Sequence, residues 1–123
     1  MMLAYFTLTG QTRKFVNKFP EVESVEIQPA NPFIEMEEPF ILVVPTYEAE
    51  ITEPVNDFLE TGQNIALCRG IFGGGNRNFA QLFCFTADDL SEEYNIPVLH
   101  RFEFQGSEND VAKMEEELKQ YAQ

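Results

Sequence analysis

The sequence has no tryptophan, one histidine, two cysteines and only eight basic side chains in 123 residues. Each shortage removes a class of function. Eight Lys and Arg against 21 Asp and Glu give a net charge of −13 and a pI near 4.3. That is the wrong sign for displacing counterions from nucleic acid or for lying on an anionic membrane, so neither is expected as a partner. With His100 as the sole imidazole and no CxxC pair, a zinc site of the usual Cys/His type cannot be assembled, and no metal ligand is assigned. Cys68 and Cys84 each stand in an apolar run and are expected to be buried, reduced thiols. No apolar stretch approaches the roughly 20 residues needed to span a bilayer. The opening residues Met1 to Phe6 lack the basic start and long apolar segment of a signal peptide. The expected location is cytoplasmic.

What is present describes a folded core. The chain is 44% hydrophobic and 13% aromatic, with twelve phenylalanines, a profile far from disorder. Its length suits one domain, residues 1–123. The acidity favours solubility and would steer the protein towards a basic protein face.

Short apolar runs alternate with amphipathic segments. Leu3 to Phe6 reads as a buried strand. From Thr12, Phe15, Val16 and Phe19 recur at helical spacing until Pro20 stops them. Val22 to Ile27 reads as an edge strand, and the proline-rich, acidic segment Gln28 to Pro39 as a loop. Phe40 to Val44 is apolar throughout, as a strand buried on both faces of a parallel sheet must be. A helix is expected to open at Thr52-Glu53-Pro54, with Thr52 as N-cap. Val55, Phe58 and Leu59 form its inner face and Gly62 stops it. Ile65 to Phe72 reads as the next strand. Phe79 to Tyr94 reads as one helix with Phe79, Leu82, Phe83, Ala87 and Leu90 inward. Pro97 to Phe104 is the last strand. Ser107 to Asp110 resembles a capping box opening a helix with the core stripe Val111, Met114, Leu118 and Tyr121. This α/β alternation predicts a three-layer sandwich, a five-stranded parallel sheet of order 2-1-3-4-5 with helices on both faces. Ligands of such sheets lie beyond the carboxyl ends of strands 1 and 3.

Three loops meet there. Thr7-Leu8-Thr9-Gly10-Gln11-Thr12 brings three hydroxyls, a glycine and main-chain N–H groups to a helix start, which seats a phosphate without Lys or Arg. An ordinary Thr-capped helix start would have the same composition. Neither a P-loop nor a Rossmann glycine pattern is present. Pro45-Thr46-Tyr47-Glu48-Ala49-Glu50-Ile51-Thr52 reads as the second loop and supplies one aromatic ring and two acids. Gly73-Gly74-Gly75-Asn76-Arg77-Asn78-Phe79 reads as a third loop, its glycines allowing close approach of backbone to a ligand. Its amides and ring suit a flat heteroaromatic with polar edges. A strained connection without a ligand is the alternative. Among the other candidates, adjacent Asp88 and Asp89 diverge on a helix, and His100 reads as a packed or solvent-facing strand residue.

Thr7-x-Thr9-Gly10-x-Thr12 after a first strand resembles the phosphate loop of flavodoxins. The run Arg69-Gly70-Ile71-Phe72-Gly73-Gly74-Gly75-Asn76-Arg77-Asn78-Phe79 resembles the NrdI family, the flavodoxin-like activators of class Ib ribonucleotide reductase. Pro45-Thr46-Tyr47, Ile96-Pro97-Val98, Arg101-Phe102-Glu103-Phe104 and Gly106-Ser107-x-x-Asp110-Val111 match in family order. The resemblance implies one non-covalent FMN. Thr7, Leu8, Thr9, Gly10, Gln11 and Thr12 would hold its phosphate. Pro45, Thr46, Tyr47 and Glu48 would flank one side of the ring system, and Gly74, Gly75, Asn76, Asn78 and Phe79 the other. The implied partners are the small, metal-binding subunit of the reductase and a protein that reduces the flavin. In the family, reduced flavin meets oxygen and supplies an oxidant to a dimanganese centre, which generates a tyrosyl radical. The chain is then a redox accessory, with no catalytic residue of its own. One departure is Glu48-Ala49-Glu50, where the family usually carries glycine; another is Ala80 for the usual Gly. A loop peptide that turns on flavin reduction turns less easily without glycine, so less of the half-reduced flavin is expected. The alternatives are a general flavodoxin electron carrier and a flavin-free interaction module.

Overall fold

The computed structural model describes residues 1–121, with the side chains of Phe79, Ala80, Gln81 and Tyr121 outside the described residues. Five parallel strands form one sheet: β1 (Met2–Tyr5), β2 (Ser24–Glu26), β3 (Phe40–Val44), β4 (Cys68–Gly75) and β5 (Val98–Glu103), in the order β2-β1-β3-β4-β5. The helices are α1 (Gln11–Val16), α2 (Ala49–Leu59), a single turn α3 (Asn64–Leu67), α4 (Phe85–Tyr94) and α5 (Glu108–Tyr121). Strand β3 shows why its run is wholly apolar. Phe40, Leu42 and Val44 join one core with Val55, Phe58, Leu59, Ala87 and Leu90 of α2 and α4. Ile41 and Val43 join the other with Phe15, Val16 and Met114 of α1 and α5. A strand with a core on each face has no position for a polar residue. The second core is a phenylalanine stack: the Phe15 ring lies 4.3 Å from Phe102, near-parallel, and 5.4 Å from Phe19, edge-on. Val111 and Leu118 pack against it; Tyr121, the last member of that stripe, has a side chain outside the described residues.

Four expectations need correction. Helix α2 starts at Ala49, with Glu48 in the N-cap position, and Thr52 lies inside it, buried. The Glu48 carbonyl already accepts hydrogen bonds from the N–H groups of Ile51 and Thr52 (2.9 and 3.2 Å), so helical bonding begins before Thr52 can cap. The fourth strand begins at Cys68, not Ile65, because Asn64 ties the preceding segment into a turn. Asn64 is fully buried; its amide nitrogen donates to the carbonyls of Ile34 and Phe58, and its Oδ1 accepts from the N–H of Met36. That residue also anchors the helix-free segment between β2 and β3.

Third, Gly73, Gly74 and Gly75 belong to β4 and are not a loop. A Cβ on Gly73 would lie 2.6 Å from the Cβ of Ala87, and one on Gly74 3.0 Å from the ring of Phe102. These two glycines let α4 and β5 close onto the strand. Fourth, Phe79 to Tyr94 is not one helix. A 3-10 segment, Arg77–Leu82, gives way to α4 through Phe83 and Cys84. Cys84 has φ 58°, a left-handed conformation that breaks helical continuity. The break turns Leu82 outward, where it is 57% exposed, while Ala87 and Leu90 are buried.

Both thiols are buried and unpaired with each other. Burial pushes Cys68 up to about 12 and Cys84 up to about 11, so both are protonated and unreactive at neutral pH. Among the described residues no helix is long and apolar enough to cross a membrane.

Candidate functional site

Strands β1, β3 and β4 end together beside one cleft of about 290 Å³, lined by Leu8, Thr9, Gln11, Thr12, Pro45, Thr46, Tyr47, Gly74, Gly75, Asn76, Leu82 and Phe104. Its floor comes from the loop after β1. Gly10 has φ 93° and occupies the N-cap position of α1, and no side chain caps the helix. The Gly10 N–H donates to Thr7 Oγ1 at 3.1 Å, and the first helical bond runs from the Lys14 N–H to the Gly10 carbonyl at 3.0 Å. The N–H groups of Gln11, Thr12 and Arg13 therefore stand at the open end of the helix with no carbonyl to meet within it. Their summed dipoles make that end attractive to an anion. No charged side chain is among the described residues that line the cleft; Arg13 turns away and pairs with Glu26 at 2.8 Å.

One wall is the segment leaving β3. Thr46 Oγ1 donates to the Gly74 carbonyl at 2.6 Å, which locks this wall to β4. The Tyr47 N–H donates to Thr86 Oγ1 at 3.1 Å, and Thr86 Oγ1 donates to the Tyr47 carbonyl at 3.0 Å. The facing wall begins at Gly75, where a Cβ would come within 3.1 Å of both Thr46 Oγ1 and the Cys84 nitrogen. A side chain there would be tightly crowded, and the cleft stays open beside the glycine. Asn76 Oδ1 accepts the Asn78 N–H at 2.9 Å, forming a tight Asx turn. Beyond it the Arg77 guanidinium lies over the Phe83 ring at 4.6 Å and pairs with Glu103 at 3.2 Å.

Three exposed apolar side chains rim the opening: Leu8, 51% exposed, Leu82 and Phe104, 52% exposed. Leu82 and Phe104 were not foreseen as site residues. Leu82 reaches the rim because the helix breaks at Cys84. Phe104 does so because φ 52° turns the chain at the end of β5. Phe104 reads in the sequence as the end of the last strand, and only the structure, which ends β5 at Glu103, puts it past the strand; for Leu82 no sequence signal existed without the break.

The structure thus brings together Leu8, Thr9, Gln11, Thr12, Pro45, Thr46, Tyr47, Gly74, Gly75 and Asn76 at one cleft. Thr7 and Gly10 shape its floor from behind. Glu48 is exposed at the start of α2, and Asn78 is exposed beyond the Asx turn. The side chain of Phe79, expected against the ring system, lies outside the described residues. His100 is a half-buried strand residue, as expected: its Nε2 lies 2.7 Å from Asp110 Oδ1 and its ring 5.5 Å from that of Phe72.

The donor set fits a phosphorylated flat ligand: an amide-lined, uncharged anion seat continuous with a slot between two backbone walls. Solved structures share this fold. A short-chain flavodoxin associated with a non-canonical PDU bacterial microcompartment superposes with a TM-score of 0.68 over 94% of this chain and 93% of its own, at 15% identity, which establishes the fold alone. At the level of sequence, a protein named Protein NrdI from Ruegeria sp. (strain TM1040) is 34% identical over 118 residues, covering 92% of this chain and 84% of its own. The family description "NrdI Flavodoxin like" matches residues 3–116, and the chain belongs to that family.

Proposed function

We propose that this chain is a single FMN-binding domain serving a class Ib ribonucleotide reductase. In this role it supplies oxidant or electrons for assembly of the dimanganese-tyrosyl radical cofactor of the small subunit. The observation that carries the reading is the open start of α1: three main-chain N–H groups without helical partners, beside an uncharged cleft at the ends of β1, β3 and β4. Gln11, Thr12 and Arg13 would hold the phosphate dianion through their backbone, with Thr9 and Thr12 hydroxyls within the same loop. Thr46 and Tyr47 on one side and Gly75 and Asn76 on the other would bound the ring system. Leu8, Leu82 and Phe104 at the rim would limit water at its edge. Bound FMN, cycled by a flavin-reducing partner, supplies the electron-transfer chemistry, and the protein contributes orientation and electrostatics. The acidic surface suits a basic partner face and a cytoplasmic setting.

Titrating the protein with FMN and with riboflavin tests the reading. One equivalent of FMN is expected to bind, and riboflavin, which lacks the phosphate, about a hundredfold more weakly, since an amide-bound dianion is worth roughly 3 kcal/mol. Equal affinities would remove the phosphate seat from the account. Assembly of the tyrosyl radical in a manganese-loaded small subunit, followed by electron paramagnetic resonance, is expected only when the FMN-loaded protein is added in reduced form together with oxygen.

A further inference from the structure

Resting on the FMN reading above, we infer that Thr86 is a positioning residue: from outside the cleft it sets the backbone of Tyr47, and through it the wall that flanks the ligand. Thr86 stands in the first turn of α4 and is 4% exposed. It is not among the cleft-lining residues. A threonine in a helix commonly returns its hydroxyl to its own helix backbone. Here the hydroxyl reaches across 39 positions of sequence and engages both polar groups of one residue, accepting from the Tyr47 N–H and donating to the Tyr47 carbonyl. A hydroxyl has one proton to give, and this one is committed to the wall.

Two consequences follow from chemistry. The Tyr47 N–H is spent, so this wall presents a ring and side chains to a ligand and withholds one backbone donor. The segment also cannot swing outward without breaking two hydrogen bonds in a nearly dry place, where an unmade bond is costly. The anchor is itself rigid. Ala87, the next residue, packs where Gly73 has no side chain. Cys84 Sγ donates to the Gly73 carbonyl at 3.2 Å. Thr46, next to Tyr47, is tied to Gly74. The position of the wall is thus inherited from the seating of α4 on β4. The glycine-free continuation Glu48-Ala49-Glu50 runs straight into α2 and adds no hinge.

Thr86→Val keeps the branched shape and removes the hydroxyl; Thr86→Ser keeps the hydroxyl. Two readouts are taken on each: FMN affinity by fluorescence quenching, and hydrogen exchange of the Tyr47 amide in the ligand-free protein. Thr86→Val is expected to weaken FMN about tenfold and speed Tyr47 exchange about tenfold or more, with Thr86→Ser within about threefold of wild type in both. Should Thr86→Val fail to fold, Thr86→Ala takes its place with the same expected outcomes. Wild-type affinity in the hydroxyl-free variant overturns the inference, as does equal loss in the serine variant. If wild-type protein binds no FMN, the functional reading fails, and the inference about the ligand falls with it. That outcome is distinct from wild-type protein binding FMN and the variants doing so equally.

Discussion

Two helix starts at the same end of the sheet are built in opposite ways. At α5, Ser107 and Asp110 close the helix with their own side chains: the Ser107 N–H donates to Asp110 Oδ2 at 2.7 Å, and the Asp110 N–H donates to Ser107 Oγ at 3.4 Å. That is a capping box, with Asp in the usual Glu position. At α1 nothing of the kind exists. Gly10 takes a left-handed conformation, no side chain caps, and a Cβ there would have no heavy atom within 4 Å. One helix turns a side chain back onto its first turn, and the other leaves its first amides facing a space. The glycines tell the same story. Gly10 is needed for its conformation beside open space, while Gly73 and Gly74 are needed because Ala87 and Phe102 fill the space a side chain would take. A residue type that marks an open helix start in the loop after β1 marks internal packing in strand β4.

The comparison breaks most visibly at Gly73. Gly73→Val should cost about 3 kcal/mol in urea denaturation, the upper end of overpacking penalties, and Ala87→Gly should restore part of it. Unchanged stability with lost FMN binding would reassign this glycine to the ligand. Gly10→Ala should cost about 1–2 kcal/mol, the strain of a non-glycine residue at positive φ with no clash to add to it. Gly10→Asn should cost less, because asparagine visits that region more readily.

A smaller effect sharpens the contrast at α5. Burial alone would raise the Asp110 carboxyl, but hydrogen bonds from His100 and from Ser107 outweigh it and hold it below its ordinary value of 3.8. A carboxyl lowered in the folded state stabilises fully above 3.8 and loses that contribution as pH falls through the folded value. The stability difference between wild type and Asp110→Asn, about 1 kcal/mol at neutral pH for a cap of this kind, should therefore shrink on acidification below pH about 4. A difference that grows there would mean the carboxyl is not held in this way. The smallest effect concerns the loaded protein: stepwise reduction of bound FMN should show little half-reduced flavin, because Glu48-Ala49-Glu50 lacks glycine. An abundant, long-lived half-reduced state would contradict it.

Much of this was legible in the chain. Apolar runs in Leu3–Phe6 and Phe40–Val44 and the helical stripes at Phe15 and Met114 carry the strand order and the two cores, because burial on two faces writes itself directly into composition. The loop after β1 was legible as a helix start, but its composition did not separate a threonine cap from an anion seat; the structure shows no side-chain cap there. The glycine run was misread as a loop, and Gly73 within it as a ligand contact, since a close approach looks the same in sequence whether the neighbour is a ligand or Ala87. The break at Cys84 was invisible, because a left-handed cysteine has no signature, and with it went the outward turn of Leu82. Thr86 was unreadable as well: its partner lies 39 positions away, and only the packing of α4 on β4 joins them.

The central claim is that the main-chain N–H groups of Gln11, Thr12 and Arg13 hold a phosphate. It is tested most directly by following backbone amide resonances while FMN is added. The account predicts that these three amides move furthest downfield, that inorganic phosphate moves the same three in the same direction, and that the α5 amides at Ser107 and Asp110 stay put. Saturable FMN binding that leaves Gln11, Thr12 and Arg13 unshifted would contradict it.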